Sequence, residues 1–180
     1  PIRPSIHLHA GAAWAKALEV ARTAFYVGKE PPEAAQAAGL AALIRAYGDF
    51  ECPPDSAKSL SRLSEAFVYY FLNFPLETDP AQPFMGPNGP MIEFSFALPL
   101  DEGLLYPETG DPIIYAGRTD MIATYAGAVS IYDDKTTQSI GASWADQWDM
   151  RSQFTGYCWG ALQFGIPVTQ VLVRGLGILK

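Results

Sequence analysis

Cysteine and long apolar runs are both scarce in this chain of 180 residues. Its two cysteines, Cys52 and Cys158, are too few for a disulfide framework, a closed zinc site or a four-cysteine iron–sulfur cluster within the chain. No apolar run approaches the ~20 residues that a membrane helix needs, and no basic segment followed by an apolar one marks a secretory signal. We therefore expect an intracellular protein with no membrane partner and no iron–sulfur cofactor.

Positive charge is scarce as well, because 12 Lys and Arg stand against 19 Asp and Glu and give a net charge of −7. Proteins that contact nucleic-acid phosphates usually carry a basic patch, and the basic residues here are scattered. The acidity agrees with a nucleic-acid partner only if part of it forms a metal site that attracts phosphate once a cation is bound.

Apolar residues are abundant, at 49% of the chain. This content is enough to form the core of one globular domain over residues 1–180. The chain begins at Pro1 without a methionine and ends at Lys180 directly after an apolar run. We expect it to be a segment of a longer protein.

Hydrophobic spacing divides the chain into a helical part, residues 1–75, and a strand-rich part, residues 90–175. Residues 75–90 are rich in proline and glycine and predict a loop. A turn at Gly127 separates the second and third strands. The predicted helices cover about 11–28, 32–47, a stretch from a cap at Asp55 or Ser56 toward Pro75, and 144–164. The predicted strands cover 92–98, 112–125, 128–134 and 168–173. This order indicates an α/β (α+β) protein with a three-stranded meander.

Acidic residues stand at two positions where strands are predicted. Asp120 ends an apolar segment, and alternation along the next strand places Asp133 and Lys135 on one face while Asp134 points away. A hairpin turning near Gly127 brings Asp120 and Asp133 side by side. Two converging carboxylates repel each other unless a cation neutralises them, and oxygen ligands favour Mg²⁺ or Mn²⁺. The alternative is that each acid is an ordinary strand-end or turn residue.

A third pattern lies on the last predicted helix, where Gln153 and Tyr157 are four residues apart and share one face. With GxxD over residues 117–120 and DxK over residues 133–135, the ordered triple resembles the RecB-like and lambda-exonuclease-like branch of the PD-(D/E)xK nuclease superfamily. The resemblance covers about residues 90–175.

The resemblance implies a restriction-endonuclease-like αβββαβ core, with the catalytic core at 90–175 behind a helical N-terminal region. It also implies a metal-dependent deoxyribonuclease, and by the kind of relative an exonuclease, acting in recombination, repair or phage DNA processing in the cytoplasm of a bacterial or phage-infected cell. Asp120 and Asp133 become ligands of Mg²⁺, or alternatively Mn²⁺, and Lys135 becomes the catalytic lysine. Gln153 and Tyr157 support the site or contact the DNA substrate.

The first helix both matches and departs from that family, in which a histidine on this helix touches the metal. That position is Ala15 here, and Glu19, His7 or His9 are the residues near enough in sequence to replace it. Glu93 matches an acid often present in the branch.

Two further alternatives stay open. Ala15 and the net acidity favour a nuclease-derived module without activity that binds nucleic acid or a protein partner. The other alternative is a structural or assembly module whose carboxylates are ordinary turn residues. Trp144 and Trp148, spaced by four next to Arg151, are either core residues or a base-stacking face.

Overall fold

The computed structural model describes residues 5–101, 103–149 and 151–179. Its α-helices are α1 (Ile6–Arg22), α2 (Pro32–Tyr47), α3 (Leu60–Asn73) and α4 (Ser152–Gln163). A π-helical turn, Thr23–Val27, prolongs α1, and two 3₁₀ turns, Ala142–Trp144 and Asp146–Trp148, precede α4. The described residues include no helix that is long and apolar enough to cross a membrane.

The strands are β1 (Gln82–Pro83), β2 (Met85–Gly86), β3 (Gly89–Pro90), β4 (Ile92–Pro99), β5 (Ile114–Tyr125), β6 (Ala128–Thr137) and β7 (Gln170–Gly177). β4, β5 and β6 form the predicted antiparallel meander, and β7 pairs with β6 in parallel. β1 pairs with β5, while β2 and β3 make a separate small hairpin. The protein is therefore a mixed α and β structure built on a mixed sheet.

A two-residue turn fixes the β5–β6 hairpin. Ala126 and Gly127 both have positive φ, 49° and 80°, which is the backbone of a type I′ turn. Glycine adopts this conformation at little cost, and alanine rarely does. The predicted turn at Gly127 is confirmed, and it sets the register in which Met121 faces Tyr132 and Ile122 faces Ile131.

Helices cover both faces of this sheet. Ile122 and Ile131 are fully buried and share a cluster with Phe154 and Ala161 of α4. Their neighbours along the strands, Met121 and Tyr132, point to the opposite face, where the Tyr132 hydroxyl meets α1 through Arg22. On that side α1, α2 and α3 enclose the larger core. Buried alanines such as Ala17, Ala21 and Ala35 let α1 and α2 pack closely there.

Three local predictions were wrong. The predicted helix over 144–164 is shorter in the structure, because 3₁₀ turns occupy the region around Trp144 and Trp148 and α4 begins at Ser152. The stretch 75–90 contains the short strands β1, β2 and β3, whose two-residue length leaves no periodic pattern to detect. The cap of α3 is Ser59, whose side chain accepts from the Arg62 N–H, and not Asp55 or Ser56.

Candidate active site

Three acidic residues lie on one line across β4, β5 and β6, at the point where regular strand pairing stops. The β4–β5 register pairs Ile92 with Met121 and Phe94 with Thr119, which sets Glu93 opposite Asp120. The β5–β6 register ends at Met121 and Tyr132, and one further step sets Asp120 opposite Asp133. The structure therefore places Asp120 opposite Asp133, as expected, and it sets Glu93 on the same line.

β5 and β6 separate beyond this line, and a side chain spans the gap. The Asp134 N–H donates to Asp120 Oδ2 at 2.9 Å. Burial raises the pKa of the Asp120 carboxyl, the negative charge of Asp134 raises it further, and the backbone hydrogen bond and Arg22 act in the opposite direction. Asp120 is thus held in position by the backbone N–H of Asp134, whose own carboxylate accepts from Arg22.

Asp133 is the most enclosed of these acids, with 3% of its surface exposed. Lys135 Nζ lies 2.6 Å from Asp133 Oδ2, and this ion pair is the one partner that the described residues give this buried oxygen. Burial, followed by the charge of Asp120, raises the pKa of Asp133 to about 6 although Lys135 opposes the change. The shared face predicted for Asp133 and Lys135 is confirmed.

Glu93 has an unusual backbone, with a φ of 55° inside a strand, a conformation that costs a non-glycine residue roughly 1–3 kcal/mol. Its carboxylate pairs with Arg118 at 3.1 Å. Burial and the negative charges of Asp120 and Glu19 nevertheless raise the pKa of Glu93 to about 7. Strained backbone and a raised carboxyl pKa commonly mark functional sites.

Two of the candidate residues open onto a cleft of about 630 Å³ between the first half of α1 and the end of β6, which we call the α1–β6 cleft. Its walls include His7, Ala15, Lys58, Asp120, Asp134 and Lys135. Lys135 is accessible from it, since 31% of its side chain is exposed. Asp133 lies behind Lys135, outside the described lining.

The residues considered as replacements for the histidine of the resembled nucleases lie in different surroundings. Ala15 and His7 both line the cleft, whereas His9 stacks on Phe50 at 4.1 Å and its Nε2 contacts the Tyr47 carbonyl at 2.8 Å. Glu19 pairs with Lys16 at 2.6 Å, and its charge acts on Glu93.

Asp134 faces away from Asp133, as alternation predicted, and its carboxylate lies beside the cleft in a buried polar network that sequence reasoning missed. Its carboxylate accepts from Arg22 at 2.6 Å, from Tyr70 at 2.9 Å and from Tyr132 at 3.0 Å. Arg22 is 4% exposed, and its guanidinium lies 5.0 Å from the centre of the Tyr132 ring. An arginine on the alanine-rich face of α1 was the available signal, because such a residue is rarely buried without an acid.

A second arginine extends the network. Arg174 of β7 donates to both oxygens of Asp79, at 2.7 and 2.8 Å, and to the Tyr70 hydroxyl at 3.0 Å. Its guanidinium lies 3.7 Å from the centre of the Phe74 ring. Two arginines thus balance two aspartates beneath the sheet.

Gln153 and Tyr157 do share one face of α4, and Gln153 Nε2 donates to the Tyr157 hydroxyl at 2.9 Å. The described lining of the α1–β6 cleft includes neither residue. Trp144 and Trp148 meet edge to face at 5.5 Å, and Arg151 lies over Trp148 at 5.6 Å.

The donor set suits a hard divalent cation. Asp120, Asp133 and Glu93 offer only carboxylate oxygens, and among the described residues the buried Oδ2 of Asp133 has no partner besides the Lys135 ammonium. Within the described residues, no three His, Cys, Asp or Glu side chains are close enough to form a complete metal site. Mg²⁺ keeps several waters and commonly takes only one or two protein carboxylates, so a partial set fits this ion.

Comparison with known proteins adds no relative: no protein-family model, no curated protein and no solved structure matches the chain significantly.

Proposed function

We propose that the chain is a divalent-cation-dependent nuclease that hydrolyses DNA phosphodiester bonds. The observation that carries this proposal is the line of Glu93, Asp120 and Asp133 across three strands, with Lys135 beside it at an open cleft. The order β4–β5–β6–α4–β7 and the parallel pairing of β6 with β7 agree with a restriction-endonuclease-like αβββαβ core.

Asp120 and Asp133 would hold Mg²⁺, or alternatively Mn²⁺, with Glu93 next to them. A bound cation would supply a Lewis acid that draws charge from the phosphodiester oxygens. The binding energy would come partly from relieving repulsion, because the pKa of each of these three carboxyls is raised by at least one neighbouring acid.

Lys135 supplies the positive charge that the chain itself brings to the site. Its ammonium now balances Asp133, and a cation on the carboxylates would release it to stabilise the negative charge that develops on the phosphate. Its partial exposure to the cleft places it within reach of a substrate.

The net charge of −7 agrees with this function only when the cation is present. Metal-free protein should therefore bind DNA more weakly than the metal-bound protein, and measurably only at low salt, since its cleft holds Asp120 and Asp134. Exonuclease action, a role in recombination, repair or phage DNA processing, and a cytoplasmic location are parts of the same proposal and rest on the motif resemblance.

The test is degradation of linear duplex and single-stranded DNA with Mg²⁺, with Mn²⁺ and with chelator. We expect metal-dependent cleavage by the native chain and a loss of about 10²-fold or more in Asp133→Asn, as is typical when a group that stabilises transition-state charge is removed. Asp49→Asn, an exposed acid outside the cleft, is the matched control and should cleave normally.

Absence of cleavage in every metal arm would contradict the proposal. DNA retention without cleavage would instead favour a binding module derived from a nuclease, for which Ala15 at the family's histidine position is the motivating residue.

A further inference from the structure

Lys58 is a buried lysine on the wall of the α1–β6 cleft, in the loop before α3. Only 3% of its surface is exposed. Its ammonium donates to the Thr136 carbonyl at 3.2 Å and to Thr136 Oγ1 at 3.0 Å, which uses two of its three N–H groups. No carboxylate among the described residues lies within ion-pair distance of it.

A buried ammonium without a counter-ion is unfavourable, because neutral oxygens replace only part of its hydration. The same burial lowers the pKa of Lys58. Arg22 and Arg174, the two other buried or nearly buried cations on this side of the sheet, each have an aspartate partner. Lys58 therefore stands out as a cation whose partner is absent from the described chain.

Trp14 of α1 lines the same cleft and presents a second unpaired donor. It is 1% exposed, and its indole Nε1 has no hydrogen-bond acceptor. Buried indole N–H groups usually have a partner. An anionic oxygen entering the cleft would supply an acceptor for this group and a counter-ion for Lys58.

We infer that Lys58 and Trp14 form an anion subsite of the α1–β6 cleft that binds a phosphate group of a nucleic-acid strand. The identity of the ligand as a phosphodiester rests on the proposed function. The subsite itself rests on the two unpaired donors and on their common cleft with Asp120 and Lys135. A strand whose scissile phosphate lies at the carboxylates would enter the same cleft, whose wall includes Lys58.

The experiment measures the affinity of the full chain for a fluorescein-labelled single-stranded DNA by anisotropy. It is done in chelator, which stops metal-dependent cleavage, over a range of sodium chloride concentrations. Lys58→Gln removes the positive charge but keeps an N–H donor for Thr136. Lys58→Arg keeps the positive charge and the donor. Lys29→Gln removes the same charge from an exposed lysine outside the cleft lining. Trp14→Phe removes only the N–H group and part of the ring.

We expect Lys58→Gln to weaken binding about 10-fold and to lower the salt slope by about one, the signature of one lost phosphate contact. Lys58→Arg and Lys29→Gln should remain within about twofold of the native chain. Trp14→Phe should weaken binding about 3- to 10-fold without changing the salt slope, as expected for a lost hydrogen bond to a charged group. Circular dichroism checks the fold of each variant, and Trp14→Phe decides the question if Lys58→Gln does not fold.

Equal losses in Lys58→Gln and Lys29→Gln would overturn the inference, because the effect would then be one of overall charge. So would unchanged binding in both Lys58→Gln and Trp14→Phe, or an absence of binding by the native chain even at low salt. Cleavage by a native chain whose affinity does not depend on Lys58 refutes the subsite alone. Lys58-dependent binding without metal-dependent cleavage refutes the nuclease and leaves the subsite.

Discussion

The acids of the candidate site should make the metal-free protein less stable at neutral pH than in mild acid. The pKa of Glu93 is raised from 4.5 to about 7 and that of Asp133 from 3.8 to about 6. Both folded-state values lie above those of the unfolded chain, so the folded state takes up protons that the unfolded state releases. Stability is therefore gained as the pH falls from about 7 toward 4, and it is lost as the pH rises through that window.

The magnitude follows from the size of these differences. Lowering the pH from 8 to 5 should stabilise the folded state by roughly 2–3 kcal/mol through Glu93 and roughly 1–2 kcal/mol through Asp133. The two carboxyls both interact with Asp120, so their effects overlap and the joint gain is about 2–4 kcal/mol. For a chain of this length that is roughly a 10 °C rise in melting temperature.

Urea unfolding at several pH values, in chelator, measures the effect. The difference in stability between the native chain and a Glu93→Gln/Asp133→Asn variant should shrink by most of that gain as the pH falls, because amides do not titrate. Asp49→Asn should keep the native pH profile. Mg²⁺ at about 100 times its dissociation constant should stabilise the native chain at pH 8 by about 2.7 kcal/mol and leave the double variant unchanged. Parallel pH profiles for the native chain and the double variant would refute the reasoning.

Two further variants test the packing that supports the site. Arg22→Met should lower the free energy of unfolding in urea by about 3–5 kcal/mol, because Asp134 then stays buried without its cation. Arg62→Met, at an exposed position, should change it by no more than ~0.5 kcal/mol. Equal effects of the two substitutions would contradict the network. Gly39→Ala should destabilise by roughly 1–3 kcal/mol, since a Cβ there would lie 2.7 Å from Phe67 Cζ and 2.8 Å from the Ala17 carbonyl. Gly11→Ala, with open space around it in α1, should instead stabilise by about 0.5–1 kcal/mol, and a loss there would show that α1 does not run through Gly11 as described.

Elements with a clear period were predictable from sequence. The pattern predicted α2 at the residues where it occurs, and it predicted β4, β5, β6 and β7 to within a few residues at each end. The 3₁₀ turns around Trp144 could not be predicted from sequence. Trp144 and Trp148 are four residues apart, a spacing that is also typical of an α-helix. β1 is stabilised by pairing with the distant β5, a contact that no local pattern reveals.

Local alternation was also enough to place Asp133 with Lys135 and to exclude Asp134. The partners of Asp134 were out of reach for sequence reasoning, since Arg22 and Tyr70 are 112 and 64 residues away along the chain. The burial of Lys58 could not be predicted from sequence either, because the basic residues show no pattern along the chain. Its burial depends on the contact with Thr136, which is 78 residues away.

The adjacent residues Asp133 and Asp134 have identical side chains but different surroundings, one at the candidate site and the other in the buried arginine network. Asp134 has a buried arginine and two tyrosine hydroxyls, which satisfy its charge and fix its backbone N–H against Asp120. Asp133 has only the partly exposed Lys135 as an ion-pair partner among the described residues. Because neighbouring positions on a strand face opposite ways, this division depends on register and not on residue type. Moving the DxK pattern by one residue would place its aspartate in the arginine network. The proposed cation would then lose a ligand even though the composition of the chain had not changed.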